Sequence, residues 1–292
     1  MNNMIIYHNN CSDGFTSAAI AYLYFKQNNT NSTTLFAGNY GEPPPIVDKQ
    51  TDVYLVDYSY NKEQILNLLE QANSVTIIDH HITAIKELKD LSHPNFMKYF
   101  DTALSGAGLT WEYFFHDKNI PDLIKYVQDR DLWNWVYSES KDFLMGLEQF
   151  DFTVEQYIQH LENSINLKNN FTQTLIENGK IISKYFEQMV NQIIDSNLYF
   201  INYKNYQKVP ILNCNYKFSS NIGNILSTRH NTLFSIMYYI VADSVYLSFR
   251  SVDSGVDVSI IAKELGGGGH RNASGAKISL EQFNKLFVIH KD

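Results

Sequence analysis

Ile77-Ile78-Asp79-His80-His81 is an apolar run that ends in an acid and two adjacent histidines. Its apolar part, with Val75 and Thr76, makes residues 75–78 read as a strand buried on both faces, as strands of parallel sheets are. Ligands of such sheets bind beyond the carboxyl ends of the strands. Asp79, His80 and His81 are therefore expected where chemistry occurs. Taken alone, two histidines in a turn fit a polar loop equally well, and the flanking sequence has to decide.

On the N-terminal side, residues 4–7 and 33–37 and 53–56 form further apolar runs. Between them lie helical patterns. Residues 14–26 carry Ala18, Ala19 and Ala21, small enough for close packing on a sheet, and residues 61–71 place Ile65, Leu68 and Leu69 on one face. Such a βαβ series predicts a largely parallel sheet with right-handed crossovers. Glu42-Pro43-Pro44-Pro45 falls in a loop. From Gly106 onward the pattern turns helical, over 109–116, 120–129, 141–150 and 154–161, and a long helix over 171–194 reads as a tether. The remainder restarts with hairpins at 198–203/209–213 and 232–241/245–250. Helices are expected at 220–230 and 258–265, then a glycine-rich loop at 266–270, a strand at 276–278 and a terminal helix. The predicted fold class is α/β. Residues 1–195 hold a parallel-sheet domain with a helical connector, and residues 196–292 a smaller α+β domain.

The chain has 292 residues, 44% hydrophobic and 14% aromatic, so a sizeable core is available. Its net charge is −8, from 23 Lys+Arg against 31 Asp+Glu, which argues against a surface that wraps long duplex DNA. A small anionic substrate remains compatible, because a metal ion or a few arginines invert the field locally. Cys11 and Cys214 make no disulfide framework, so a reducing, cytoplasmic setting is expected. The opening residues are too short and uncharged an apolar stretch for a signal peptide, and no run approaches a membrane span; no membrane partner is expected. A homodimer is left open.

Other strand ends repeat the pattern of residues 79–81. The first leads through His8-Asn9-Asn10-Cys11-Ser12-Asp13-Gly14 into a helix, the third ends in Val56-Asp57-Tyr58-Ser59, and a later helix ends in Gln128-Asp129-Arg130-Asp131. Imidazole with carboxylate suits manganese, iron or zinc, and a shared carboxylate suits a pair of ions. Singly, Asp13 or Asp57 could serve only to cap the helix that follows. Four such segments in one βαβ domain point to a metal site.

In order, His8 to Asp13-Gly14, Val56-Asp57-Tyr58-Ser59, Asp79-His80-His81 and the Asp129 segment resemble the four motifs of the DHH phosphoesterase superfamily. Arg250 with the run Gly266-Gly267-Gly268-Gly269-His270 and the following Arg271-Asn272-Ala273-Ser274-Gly275 resembles the signature of the associated C-terminal domain. Ser105-Gly106-Ala107 and Asn39-Tyr40-Gly41-Glu42-Pro43 also resemble the phosphohydrolase branch. Only the region around 140–195 lies outside the resemblance. It implies manganese-dependent hydrolysis of phosphodiester or phosphoanhydride bonds, with two ions. Carried over by position, His8 and Asp57 resemble ligands of the first ion, and Asp13, Asp57, His80 and Asp129 those of the second, with Asp57 bridging. His81 resembles the imidazole that contacts phosphate, and Asp79 is expected to orient its neighbours. Asp131 rivals Asp129; spacing from the aromatic residue favours Asp129.

One position departs from the family pattern. Where the first motif usually carries two acids, this chain has Cys11-Ser12-Asp13. A thiolate favours zinc or iron over manganese. Alternatively Cys11 is a small buried filler and His8, Asp57 and water hold the first ion. The number of ions is thus open.

The glycine run lets backbone approach a ligand, and its N–H groups can form an anion-binding nest. Gly267, Gly268, Gly269, His270 and Ser274 are assigned with Arg250 to the substrate, Arg250 as a bidentate phosphate clamp. A flexible linker is the rival reading, and the missing Lys-Ser/Thr excludes a Walker P-loop. Trp133 and Trp135 could stack a base, although packing is the commoner use of such residues. Two domains facing each other across a cleft would suit short substrates. The expected function is a phosphodiesterase for short oligonucleotides or linear dinucleotides such as pApA. The alternatives are a cyclic-dinucleotide phosphodiesterase and a nucleotide-binding module that has lost turnover through Cys11.

Overall fold

A computed structural model describes residues 1–28, 32–167, 170–229 and 233–287. The chain divides into two compact units, Met1–Ser183 and Lys184–Asp292.

The first unit is built on a parallel sheet of five strands in the order β2-β1-β3-β4-β5. They are β1 (Asn2–His8), β2 (Thr33–Gly38), β3 (Thr51–Val56), β4 (Ser74–Asp79) and β5 (Phe96–Phe100). Side chains alternate across the sheet, so each strand feeds two cores. Ile6, Leu55 and Ile77 join Ile65, Leu68 and Leu69 of α2 (Lys62–Gln71) on one face. On the other, Ile5, Val56 and Ile78 join α1 (Ser12–Gln27) and α4 (Gly106–Phe115). Each aliphatic side chain so buried contributes about 1.5–3 kcal/mol. The small residues Ala18, Ala19 and Ala21 are fully buried, which lets α1 lie close to its neighbours. The expected α/β class and parallel sheet are therefore found. The sheet also contains β5, and the short α3 (Ile82–Leu88) lies between β4 and β5; the sequence pattern predicts neither. β5 is an edge strand without a fully buried residue, so its apolar signal is weak.

Register fixes where the strands end. Tyr7 pairs with Val56 and Val56 with Ile78, so His8, Asp57 and Asp79 emerge side by side at one edge. The helices α5 (Asp122–Asp131), α6 (Ser140–Leu147) and α7 (Val154–Ile165) follow, and then α8 (Phe171–Asn197), within which the two units divide.

The second unit carries a mixed six-stranded sheet in the order β10-β11-β9-β8-β7-β6. The expected hairpins are present as β6 (Leu198–Tyr203) with β7 (Tyr206–Asn213), and β8 (Ser235–Val241) with β9 (Ser244–Arg250). Between them α9 (Tyr216–Arg229) crosses over, so that β7 and β8 run parallel. The expected helix end at His230 and strand start at Thr232 lie outside the described residues. Val245, Leu247 and Phe249 alternate into a core with α10 (Val258–Glu264) and α11 (Leu280–Leu286). The glycine run is not a loose loop: Gly268–His270 forms β10, paired with β11 (Ala273–Ser279). Among the described residues no helix is long and apolar enough to cross a membrane.

Candidate functional site

The site of the first unit begins at the end of β1. After His8, Asn10 adopts a left-handed φ of 52°, and Cys11 occupies the N-cap position of α1 without a side-chain capping bond. A Cβ on Gly14 would lie 2.2 Å from the His8 carbonyl oxygen, so only glycine lets α1 start this close to the strand. Asp13, fully buried, does not cap its own helix. It accepts from Ser105 Oγ at 2.8 Å, Gly106 N at 2.6 Å and Ala107 N at 3.0 Å, and so caps α4 from across the fold. Asp57 does not cap α2 either; Asn61 does, accepting from Gln64 N.

Asp57 is the odd group of the cluster. It is 1% exposed and has a left-handed φ of 53°. Such a conformation costs about 1–3 kcal/mol in a residue other than glycine. Oδ2 stands 3.5 Å from His8 Nδ1, and Oδ1 stands 3.3 Å from His80 Nε2. Yet neither oxygen, nor His8 Nδ1, has an aligned hydrogen-bond partner among the described residues. Buried polar atoms left this way cost about 1–3 kcal/mol each unless something else engages them.

Around Asp57 the donors fall into groups whose ligand atoms lie within 4.8 Å of one another: His8, Cys11 and Asp57; Asp13, His80 and Asp131; and Asp57, Asp79, His80 and His81. Electrostatics show the same crowding. Burial, with Asp57 and Asp131 beside it, pushes the Asp13 pKa well up. Burial and Asp57 also raise Asp131. Burial, Asp57 and Asp13 lift the Cys11 thiol to about 12. Burial opposes the charged form of His80, but Asp57, Asp13 and Asp131 outweigh it and bring its pKa to about 9. Burial alone would raise Asp57; His8, His80 and His81 more than offset this and hold it below the usual range. Carboxylates that repel one another around a buried carboxylate without an aligned hydrogen bond are what a divalent cation relieves. The residues therefore fit a metal.

Asp79 is fully buried and engaged on every side. Oδ1 accepts from His80 N at 2.7 Å, His81 N at 3.2 Å and His81 Nδ1 at 2.7 Å, and Oδ2 accepts from Ser59 Oγ at 2.7 Å. It fixes the turn and the ring of His81, and this bond to Asp79 raises the His81 pKa.

The expected preference for Asp129 over Asp131 is not what the geometry brings together. His80 Nε2 lies 3.5 Å from Asp131 Oδ2. The Asp129 carboxylate is occupied by Val136 N at 2.8 Å, Tyr137 N at 3.3 Å and the Ser140 hydroxyl. Residues two apart on a helix point about 200° away from each other, so only one can face the cluster. Ser59 and Ser105, which hold Asp79 and Asp13, lie in stretches that resemble the family's motifs, but neither was expected as a site residue.

In the second unit, Arg250, Ala273 and His270 lie side by side across β9, β11 and β10. The Arg250 guanidinium donates to Phe249 O and Ser220 Oγ, each at 2.9 Å, and is half-buried. Gly268, Gly269 and His270 are exposed. Gly269 has φ 138°, and a Cβ there would lie 2.6 Å from Ser274 Cα. A Cβ on Gly267 would lie 2.0 Å from Gly275 O. Ser274 does not join the exposed group: it is buried and its hydroxyl donates to Val258 O at 2.7 Å.

Residues 3–132 match the DHH family, N-terminal domain, and residues 207–289 match the DHHA1 domain. The uncharacterized protein R106 of Acanthamoeba polyphaga mimivirus is 33% identical over 293 residues, covering 95% of this chain and 68% of that protein. The chain belongs to the DHH family. Oligoribonuclease NrnB of Bacillus subtilis (strain 168) is 24% identical over 308 residues, covering 97% of this chain and 74% of that protein. Among solved structures, the pGpG-specific phosphodiesterase PggH of Vibrio cholerae aligns with a TM-score of 0.55 at 15% identity, over 98% of this chain and 96% of that one. Exonuclease RecJ bound to manganese aligns with a TM-score of 0.53 at 15% identity, over 98% and 88%. At these identities the structural likeness is one of fold.

Proposed function

We propose that this DHH-family enzyme is a manganese-dependent phosphodiesterase that hydrolyses short oligonucleotides or linear dinucleotides. The observation that carries it is the Asp57 carboxylate, buried and without aligned donors between two groups of ligand atoms. His8 and Asp57, with Cys11 beside them, would hold one ion; Asp13, His80 and Asp131 would hold the other, with Asp57 shared. Two ions supply the positive charge that lowers the pKa of an attacking water and neutralises phosphoryl oxygens. Asp57, set in its left-handed turn, presents one oxygen toward each group. Asp79 holds His81 by Nδ1 and favours the charged form of its ring, in which Nε2 would donate to a phosphate or leaving oxygen. A positioned proton donor of this kind contributes about 10²–10⁴-fold. Residues 1–195 would thus carry the chemistry, and residues 196–292 would bind substrate through Arg250 and the Gly268–His270 strand. The names of NrnB and PggH favour a short linear substrate, and the manganese in RecJ favours that ion.

The test is hydrolysis of pApA, a short oligoribonucleotide and a cyclic dinucleotide, with manganese and with chelator. Cleavage of the linear substrates only with the metal is expected. Cleavage confined to the cyclic substrate would overturn the substrate class.

A further inference from the structure

We propose that Trp133 is a nucleobase-stacking residue of the active site, and that Asp129 acts as a positioning residue that holds the Trp133 loop in shape. Both roles rest on the phosphodiesterase function proposed above. Trp133 is 70% exposed, and Val136 and Tyr137 beside it are 75% and 45% exposed, so core packing does not account for them. An exposed indole leaves a large apolar surface in water, and such rings are enriched where something binds.

The loop is ordered by strong bonds rather than left free. Trp133 and Trp135 both take left-handed φ values, 57° and 52°. Bulky residues adopt that region only where the surroundings impose it. Here Asp129 imposes it. Its carbonyl accepts from Asn134 N at 3.0 Å and Trp135 N at 3.5 Å, and its buried carboxylate accepts from Val136 N, Tyr137 N and Ser140 Oγ. Trp133 N donates to Arg130 O at 3.0 Å. The Trp135 ring braces that of Trp133 at 5.0 Å and 76°, and Lys141 Nζ lies over Trp135 at 5.2 Å. A flat aromatic surface is thus fixed in advance, which lowers the entropic cost of stacking a base on it. Trp133 lies two positions after Asp131, a chain reach of at most about 7 Å between their Cα atoms. Asp131 belongs to the cluster, so a base joined to a phosphate held there is what the indole can meet. Stacking on an aromatic face is tolerant of sequence, which suits a degrader of short fragments.

The test compares pApA with two analogues, each lacking one adenine base but keeping the phosphodiester. Wild type with manganese should cleave one analogue about 5- to 150-fold less efficiently in kcat/KM than pApA. Trp133→Ala should erase that ratio, and Trp133→Tyr should restore most of it. Asp129→Asn should reduce the ratio while manganese binding stays intact, an effect that general loosening of the fold would not produce. Thermal melting of Trp133→Ala should match wild type, because the ring is exposed. A ratio near one in wild type, or an unchanged ratio in Trp133→Ala, would overturn the proposal. If wild type cleaves no phosphodiester, the function above fails separately; binding of pApA and its analogues with manganese then reads the same ratio without turnover, and its absence there overturns the stacking role too.

Discussion

Gly106 stands between the two acids of the cluster: its N–H donates to Asp13 Oδ2 at 2.6 Å, while a Cβ on it would lie 2.4 Å from Cβ of Asp57. One residue at the start of α4 therefore sets the separation of Asp13 and Asp57. Gly106→Ala should push α4 or Asp57 aside, at a stability cost of about 1–3 kcal/mol. Manganese affinity should fall with it. Denaturant unfolding and a manganese titration check this; unchanged values for both would contradict the close packing.

Asp129 and Asp131 should separate cleanly. Asp131→Asn should weaken manganese binding and turnover but leave the metal-free protein as stable or slightly more so, because it removes repulsion against Asp57 and Asp13. Asp129→Asn should keep the metal yet lose about 1–3 kcal/mol, since the bonds to Val136, Tyr137 and Ser140 lose their charge. Thermal melts with and without manganese distinguish the two variants.

Cys11 should declare its role through cobalt. If its sulfur joins His8 and Asp57 on an ion, the cobalt-loaded protein should show a thiolate charge-transfer band in the near ultraviolet. Cys11→Asp should abolish the band and tighten manganese binding, as a hard oxygen replaces a soft sulfur. A cobalt spectrum that is the same in wild type and variant would make Cys11 a packing residue.

Much of this site was legible in the sequence because strand ends and βα loops in a parallel sheet converge by topology. His8, Asp13, Asp57 and Asp79-His80-His81 needed only the positions of four apolar runs to be placed on one edge. What could not be read was direction. Asp129 and Asp131 differ by two helix positions, and which one turns to His80 depends on how α5 packs through Leu123, Ile124 and Val127. Likewise a cap for its own helix is the rival use that local sequence offers Asp13, while its hydrogen-bond partners lie 92 to 94 residues away at the start of α4. Ser274 looked polar and available beside the glycines, but the alternation of β11 turns it inward. Long-range hydrogen bonds and facing have no local signature.

Acid should destabilise the fold through His160. Burial among Phe150, Tyr157 and Phe171 lowers its pKa from 6.5 to about 4. Above pH 6.5 the ring is neutral in folded and unfolded chains alike. As pH falls below 6.5 the unfolded chain takes up a proton that the folded one refuses until about pH 4, so this contribution to stability is lost across that window. At pH 5 the loss is about 2 kcal/mol. Urea unfolding at pH 7.5 and pH 5 should show His160→Phe less acid-sensitive than wild type by about that amount; equal acid sensitivity would contradict the assignment.

The central claim is a pair of metal positions sharing Asp57. The most direct measurement is an equilibrium manganese titration of the metal-free protein and of Asp57→Asn, with pApA hydrolysis followed on the same samples. Wild type should take up two ions per chain and cleave, and chelator should abolish cleavage. Asp57→Asn should remain folded, bind at most one ion weakly and lose at least about 10²-fold in rate. Undiminished manganese binding by Asp57→Asn, or full wild-type cleavage in chelator, would contradict the account.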